Sequence, residues 1–455
     1  MNETRVLADY VSTVRFEDLP VEVVDRVRQL LLDHIGVALL SSRTPWGRIA
    51  LKFAKEHSAV NECTVYGQTW KSSAQHAALA NGLCAHGYEL DDSYEGGFCH
   101  PGAPVIPAAL AAVEKTGGSG RDLLLTMVMG YEVMGRISRS LGRELNKIHH
   151  ATGQVGAFGA VASAGKGMKL DVEQMTNALG LAGCMSSGLM EFTEDPKGTM
   201  VKRLFGGWPS QSGVAAAWMA REGFTGPSSI VEGNFGFLRS VSTKFDLDSI
   251  TSGLGSDFQV MHTVFKPYAS CRAFHPMIEG IVELRNVHGV TAENLERLDV
   301  GVRESIVRQQ VTYQPESMMA AQYSMPFTAA LAFYSDLSDP DCYEGDVISD
   351  TRVLGTARQV YAHLDPDIDG YPRYAARLKA QLKDGRSVTV DAWDHRGTEQ
   401  KPFTSNEVAS KFRKMTARVL AEASVVRITE AVAALDSDRK EAVEALCRAL
   451  RLESR

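Results

Sequence analysis

No Lys/Arg-rich block occurs in the 455-residue chain, and its formal net charge at neutral pH is −7. Surfaces that bind nucleic acid or anionic membranes concentrate positive charge, so neither partner is expected here. A small anion remains possible, because a pocket needs only local charge. Long hydrophobic runs are also missing. The most apolar early stretch, Leu30 to Leu40, is interrupted by Asp33 and His34 and is too short to span a bilayer. No apolar run follows a basic stretch near residue 1, so a secretory signal is not expected. The seven cysteines, scattered from Cys63 to Cys447, give neither a disulfide framework nor a compact set for an iron–sulfur cluster. A reducing, cytoplasmic setting follows as the expectation. Internal repeats and low-complexity segments are absent too.

What is present is ordinary globular material: 44% hydrophobic and 23% charged residues argue against global disorder. The length suggests two domains. Up to about residue 265 the pattern is helical almost throughout. After Pro20, the residues Val23, Val24, Val27, Leu30, Leu31 and Ile35 recur on one helical face, with Asp33 and His34 read as its polar edge. The stretches RDLLLTMVMGYEVMGRISRSL and DVEQMTNALGLAGCMSSGLM are apolar nearly all round, as helices buried among helices are. From about residue 266 the character changes. LERLDVGVRESIV contains a strand-like alternation, and YAARLKAQLKDGRSVTVDAW carries two alternating runs around Asp384-Gly385, a hairpin signal. An apolar helical stretch, Met325 to Leu337, lies between them. The fold class expected is mainly α: a large all-helical domain over 1–265, a smaller α+β lid over 266–404, and a helical 405–455 packing back on the first.

Four segments carry candidate chemistry. Residues 80–114 gather His86, Glu89, Asp91, Asp92, Glu95 and His100 between two apolar helices. Loops held so often carry reacting groups, although a solvated loop with a capping Asp would have the same composition. Cys84, His86, Cys99 and His100 lack the pair spacing of a structural zinc site, so no metal is expected. Residues 147–167 place His149 and His150 before a small-residue helix whose N-terminus favours a carboxylate. His149 is read as decorating the helix start. Residues 198–223 set Lys202 and Arg203 ahead of an Ala-rich helix, where a Lys is a carboxylate clamp or, if desolvated, a proton donor, with surface charge as the competing account. Residues 265–284 bring Lys266, Arg272 and His275 to the composition change, and ligand sites favour such junctions. A surface turn is the competing account there.

In order and wording these segments resemble the MmgE/PrpD family over nearly the whole chain. The matching stretches are ANG with His86, LDD and the following HP (80 to 101), HATGQVG (150 to 156), VKRLFGG (201 to 207) and KPYASCRAFHP (266 to 276). The resemblance implies a large helical domain with a smaller α+β lid, usually in a homodimer. The activities it implies include dehydration of 2-methylcitrate, decarboxylation of cis-aconitate and epimerisation of iminodisuccinate, without a cofactor. It also implies a pocket of Asp92, His100, His150, Lys202, Lys266 and His275, with Arg272 on a substrate carboxylate. Many members carry a Tyr in the segment that here reads AAQYSMPFTAA, where Tyr323 precedes the proline and Phe327 follows it. Within this pocket His100 or His150 is the expected general acid/base, Lys202 and Arg272 the carboxylate anchors, and Asp92 the group that orients a His. The expected function is a lyase acting on a small di- or tricarboxylic acid. An epimerase is the alternative, ahead of a non-catalytic polycarboxylate binder or a metal-dependent hydrolase.

Overall fold

A computed structural model describes residues 2–142, 148–195 and 197–451. Lys147, which opens the segment holding His149 and His150, and residues 452–455 of the C-terminal stretch lie outside the described residues. The first half is a helical assembly: α1 (Glu3–Thr13), α2 (Val21–Ser41), α3 (Pro45–Glu56), α4 (Ala74–Ala85), α5 (Gly102–Thr116), α6 (Gly120–Leu141), α7 (Ala151–Gly167), α8 (Val172–Cys184) and α9 (Val201–Arg221). Local chemistry fixes several of these ends. Thr44 accepts from the Gly47 amide at 3.1 Å with Pro45 opening α3, and Ser119 with Asp122 forms a capping box at α6. Helices α5 and α7 are buried along nearly their whole length, as their apolar circumference requires. No helix among the described residues is long and apolar enough to cross a membrane.

Short strands pair within this half and at its edge: β1 (Cys63–Thr64) with β2 (Lys71–Ser72), and β3 (Ser93–Tyr94) with β4 (Thr263–Val264), both antiparallel. The smaller C-terminal α+β region is built on β5 (Leu295–Val302), β6 (Val360–Leu364), β7 (Ala376–Leu382) and β8 (Ser387–Ala392), in the order β6-β5-β7-β8. Strands β5 and β6 run parallel and the other neighbours antiparallel. The Asp384-Gly385 turn joins β7 to β8, and Gly385 sits at φ +87°, which a side chain rarely adopts. The helix His275–Asn286 lies against β7 and β8, and Ile278, Ile281 and Leu284 share a core with Leu298, Val300 and Leu378.

The chain then returns to the first half. The helix Ser405–Thr416 packs on α2, and Val408 and Phe412 belong to the first core. This return corrects the reading of Asp33 and His34 as a polar edge. Both are buried, at 1% and 5% exposure, on a helix that the returning Ser405–Thr416 covers. Lys411 of that helix meets Asp33 Oδ1 at 2.8 Å, and His34 lies edge-on to Tyr66 at 5.8 Å. Burial pushes the His34 imidazole down to about 3.

Candidate active site

Three features of the scaffold bring the polar segments together. Helices α4 and α9 touch backbone to backbone: a Cβ at Gly206 would stand 2.4 Å from the Gly82 carbonyl and 2.8 Å from the His86 Cβ. That contact sets His86, the first residue past α4, beside Lys202 and Arg203 in the first turn of α9. The β3–β4 pairing lays Ser93 opposite Val264, which brings Lys266 to the loop between α4 and α5. Finally, the His100 amide donates to Thr152 Oγ1 at 3.0 Å and the His150 amide to Gly188 O at 3.2 Å, tying both histidines to the start of α7.

Glu89 is the centre of an ion group. Its Oε1 accepts from both Lys202 Nζ and Arg203 Nη1, while Oε2 faces Lys266 Nζ at 3.4 Å and the Tyr323 hydroxyl at 3.5 Å. All three cations are buried. Burial alone would raise the Glu89 carboxyl, but Lys202, Lys266 and Arg203 hold it well below the usual carboxylate range. Burial presses the Lys202 ammonium below its ordinary value, and Glu89 opposes that shift. Glu89 takes a left-handed backbone, φ 56°, which costs a residue with a side chain roughly 1–3 kcal/mol. The surrounding ion pairs keep it there. Three cations face two carboxylates, Glu89 and Asp91, so the group carries an excess positive charge next to a cavity.

Beside it stand three histidines. Asp91 Oδ2 lies 2.7 Å from His86 Nδ1 and 3.5 Å from His100 Nδ1. The His86 and His100 rings are 5.1 Å apart, and the His100 and His150 rings lie nearly parallel at 6.4 Å. His100 Nδ1 is 2.7 Å from the Asp92 main-chain carbonyl, which can only accept. Nδ1 therefore carries the hydrogen in the neutral ring and Nε2 keeps its lone pair. Burial, with Lys266, Lys202 and His86 adding to it, pushes His100 well below the ordinary imidazole value; Asp91 opposes the shift. His150 is likewise held well below by burial, Lys202 and its two neighbouring imidazoles. Asp91 itself stays ionised: burial would raise it, but His86, His100 and Lys266 bring it far down.

A cavity of about 140 Å³, room for roughly four or five water molecules, opens on these groups. Of the residues expected at the site, His100, His150, Lys266, Arg272 and Tyr323 line it. Lys202 stands behind that wall, its Nζ 5.3 Å from the Tyr323 ring centre. Asp92 differs from the expectation. Its carboxylate accepts from the Tyr131 hydroxyl at 2.5 Å and the Gly102 amide at 2.9 Å, away from any imidazole. It reaches His100 through its main-chain carbonyl alone, and Asp91 supplies the carboxylate beside the histidines. His275 is also displaced from the expected pocket. As the first residue of a helix whose buried side faces the sheet, it points its Nε2 at Ser270 O, 3.4 Å away, and edges onto His395. Phe327 is buried in the second core, so of the two aromatic residues in its segment Tyr323 is the one at the cavity. Burial and Glu89 push that phenol well above its ordinary value.

Glu89 and Asp91 were visible as members of an acidic run, but nothing in the spacing singled them out over Asp92. A usable signal was the Lys202-Arg203 pair heading an apolar helix, since two buried cations demand a buried anion. Phe192 and Tyr374, which also line the cavity, carry no motif. Among the described residues no group of three or more His, Cys, Asp or Glu is placed to hold a metal ion.

Two domain models of one family match the chain: the MmgE/PrpD N-terminal domain over residues 5–250 and the MmgE/PrpD C-terminal domain over residues 268–437. Among named relatives, a cis-aconitate decarboxylase of Aspergillus terreus is 26% identical over 466 residues, covering 95% of this chain and 93% of its own. The cis-aconitate decarboxylase of Homo sapiens is 26% identical over 450 residues, covering 95% and 92%. That of Mus musculus is 23% identical over 450 residues, covering 95% and 90%.

Proposed function

The chain belongs to the MmgE/PrpD family, and we propose that it is a cofactor-free lyase of a small di- or tricarboxylic acid, working by proton transfer next to a carboxylate. The observation that carries this reading is the His100 ring: a neutral imidazole, fixed at Nδ1, on the wall of a cavity that also holds Lys266 and Arg272. The names of the relatives favour cis-aconitate, and decarboxylation, as the first reaction to test.

In a dehydration, His100 Nε2 takes the proton from the carbon beside a carboxylate, and the hydroxyl leaves as water after accepting a proton from a protonated neighbour. In a decarboxylation, the breaking C–C bond leaves its electron pair on the substrate as carbon dioxide departs, and a donor then protonates that carbon. Both place negative charge next to Lys266, which stabilises it most strongly where water is excluded. Tyr323, whose proton is held tightly, is the donor nearest the ion group. His150 is the second acid/base, and Arg272 anchors a remote carboxylate. Lys202 and Asp92 act indirectly, the first by fixing Glu89 beside Lys266 and the second through its carbonyl on His100. His275 supports the turn that presents Arg272. The seven cysteines are free thiols, which suits a cytoplasmic enzyme. Exposed Ile49 and Phe53 on α3 and Trp208 and Trp218 on α9 suit a second copy of the chain, and light scattering of the purified protein tests that homodimer.

The test is an NMR time course in deuterated buffer with cis-aconitate, 2-methylcitrate and iminodisuccinate, using the wild type and His100→Ala. Conversion of one of the first two, with the variant stalled, supports the lyase. Deuterium entering iminodisuccinate alone moves the assignment to an epimerase. No conversion and no exchange with any of the three overturns the reading.

A further inference from the structure

Arg272 is 5% exposed and lines the cavity, and its guanidinium lies over the Tyr374 ring at 4.9 Å. That stacking fixes the plane of its N–H donors. Yet among the described residues its one hydrogen bond runs from Nη1 to Glu95 Oε1 at 3.3 Å. A charge-assisted pair normally closes to about 2.7–2.9 Å and an Arg–carboxylate pair is often two-pronged. This contact is long and single, and among the described residues the remaining donors have no hydrogen-bond acceptor. Glu95 does not itself line the cavity, and its side chain keeps 17% exposure.

We infer that the Glu95 carboxylate is a built-in occupant of the Arg272 site, which a substrate carboxylate displaces, and that binding is therefore coupled to uptake of one proton by Glu95. The inference rests on the reading of Arg272 as a carboxylate anchor and adds what controls access to it. The surroundings of Glu95 give the direction. Arg272 and Arg373 face it with positive charge, Asp394 and Glu399 with negative charge, and Glu399 in turn stands 3.7 Å from His262. Burial already raises the Glu95 carboxyl above its ordinary value while Arg272 is in contact. Once a substrate carboxylate takes the place of Glu95 on Arg272, Glu95 keeps Asp394 and Glu399 and gains another anion nearby. Its proton affinity then rises further, and a proton from solvent neutralises it. The ligand stays ionised on Arg272 and Glu95 becomes a neutral acid, so the exchange is balanced. A ligand with an amide in place of that carboxylate lacks the charge to displace Glu95, which makes the pair a filter for anionic groups.

Calorimetric titration with tricarballylate, a saturated tricarboxylate, in two buffers of different ionisation enthalpy measures the coupling. The wild type should take up protons on binding, with affinity falling as pH rises. In Glu95→Gln the uptake should vanish, the pH dependence should flatten, and affinity should rise roughly tenfold for want of a competitor. Weaker binding by Glu95→Gln, or unchanged proton uptake, overturns the inference while leaving Arg272 as an anchor. If tricarballylate does not bind, or binds Arg272→Met as well as wild type, the anchor reading falls and the displacement with it.

Discussion

The ion group around Glu89 and the histidine group of His86, His100 and His150 meet at the loop between α4 and α5 and are both buried, but their polar atoms are treated differently. Around Glu89 the charges are paired with one another: both carboxylate oxygens face cations, and Arg203, whose Nε alone is left over among the described residues, also bonds Gln322 at 3.0 Å. Among the described residues, His86 Nε2 and His150 Nδ1 are buried with no hydrogen-bond partner, and His100 has only its Nδ1 engaged. Buried polar groups are normally satisfied, so such atoms mark where a ligand or a moving proton belongs. Burial keeps the imidazoles neutral and their lone pairs available, while the ion group keeps its charges fixed. One group supplies a standing field and the other supplies exchangeable protons.

The comparison breaks most visibly if Glu89 is removed. Glu89→Leu leaves Lys202, Arg203 and Lys266 buried without their shared anion, a change that typically costs about 3–5 kcal/mol. Thermal or urea unfolding should show a loss of that size, together with loss of turnover. Equal stability with wild type would mean that the cations find other partners and that the group is not closed. The histidine group should respond in the other sense. His100→Asn should lower kcat/KM about 10²–10⁴-fold while the unfolding midpoint hardly moves, because the ring's Nε2 holds nothing together. A large drop in stability with modest loss of rate would assign His100 a structural role instead.

The contrast also explains what could be read from the sequence. The helical first half, the Asp384-Gly385 hairpin and the apolar helix starting at Met325 follow from local periodicity, and the structure has all of them. The loop holding His100 stood out because its polar residues interrupt two apolar runs. What local pattern could not supply is direction. Asp91 and Asp92 are neighbours just ahead of β3, yet one faces the histidines and the other faces Tyr131, a difference that no local period marks. The partners of Glu89 lie 113, 114 and 177 positions away, so its place at the centre appears only once the chain is folded. His275 belongs to a stretch that reads as a site, but its helix turns it toward the sheet.

A finer test of the link between the two groups is Lys266→Met. Lys266 touches Glu89 and is one of the charges that lower His100, so its removal lets the His100 imidazole rise toward its ordinary value. A base must be neutral to act. The acid limb of kcat/KM against pH, which in wild type lies below the ordinary imidazole range, should therefore move to higher pH in the variant. An unmoved limb would mean that another group sets it or that the two clusters are electrically independent.

The smallest expected effect separates Asp92 from its neighbour. Burial, with Asp91 and Asp33 adding to it, pushes the Asp92 carboxyl up to about 7, against the bonds from Tyr131 and the Gly102 amide. A carboxyl with a raised folded-state value binds its proton more tightly in the native protein. Its contribution to stability is thus complete below the unfolded value of 3.8 and is lost as pH rises to about 7. Asn keeps an acceptor for the Gly102 amide and never ionises. The unfolding midpoint of Asp92→Asn, set against that of wild type, should therefore improve as pH rises through this window and level off above it. Since the carboxylate touches no imidazole and the Asp92 carbonyl that holds His100 remains, turnover should change only a few-fold. Loss of turnover as deep as that of His100→Asn would show that the Asp92 carboxylate, and not only its main chain, serves the histidine group.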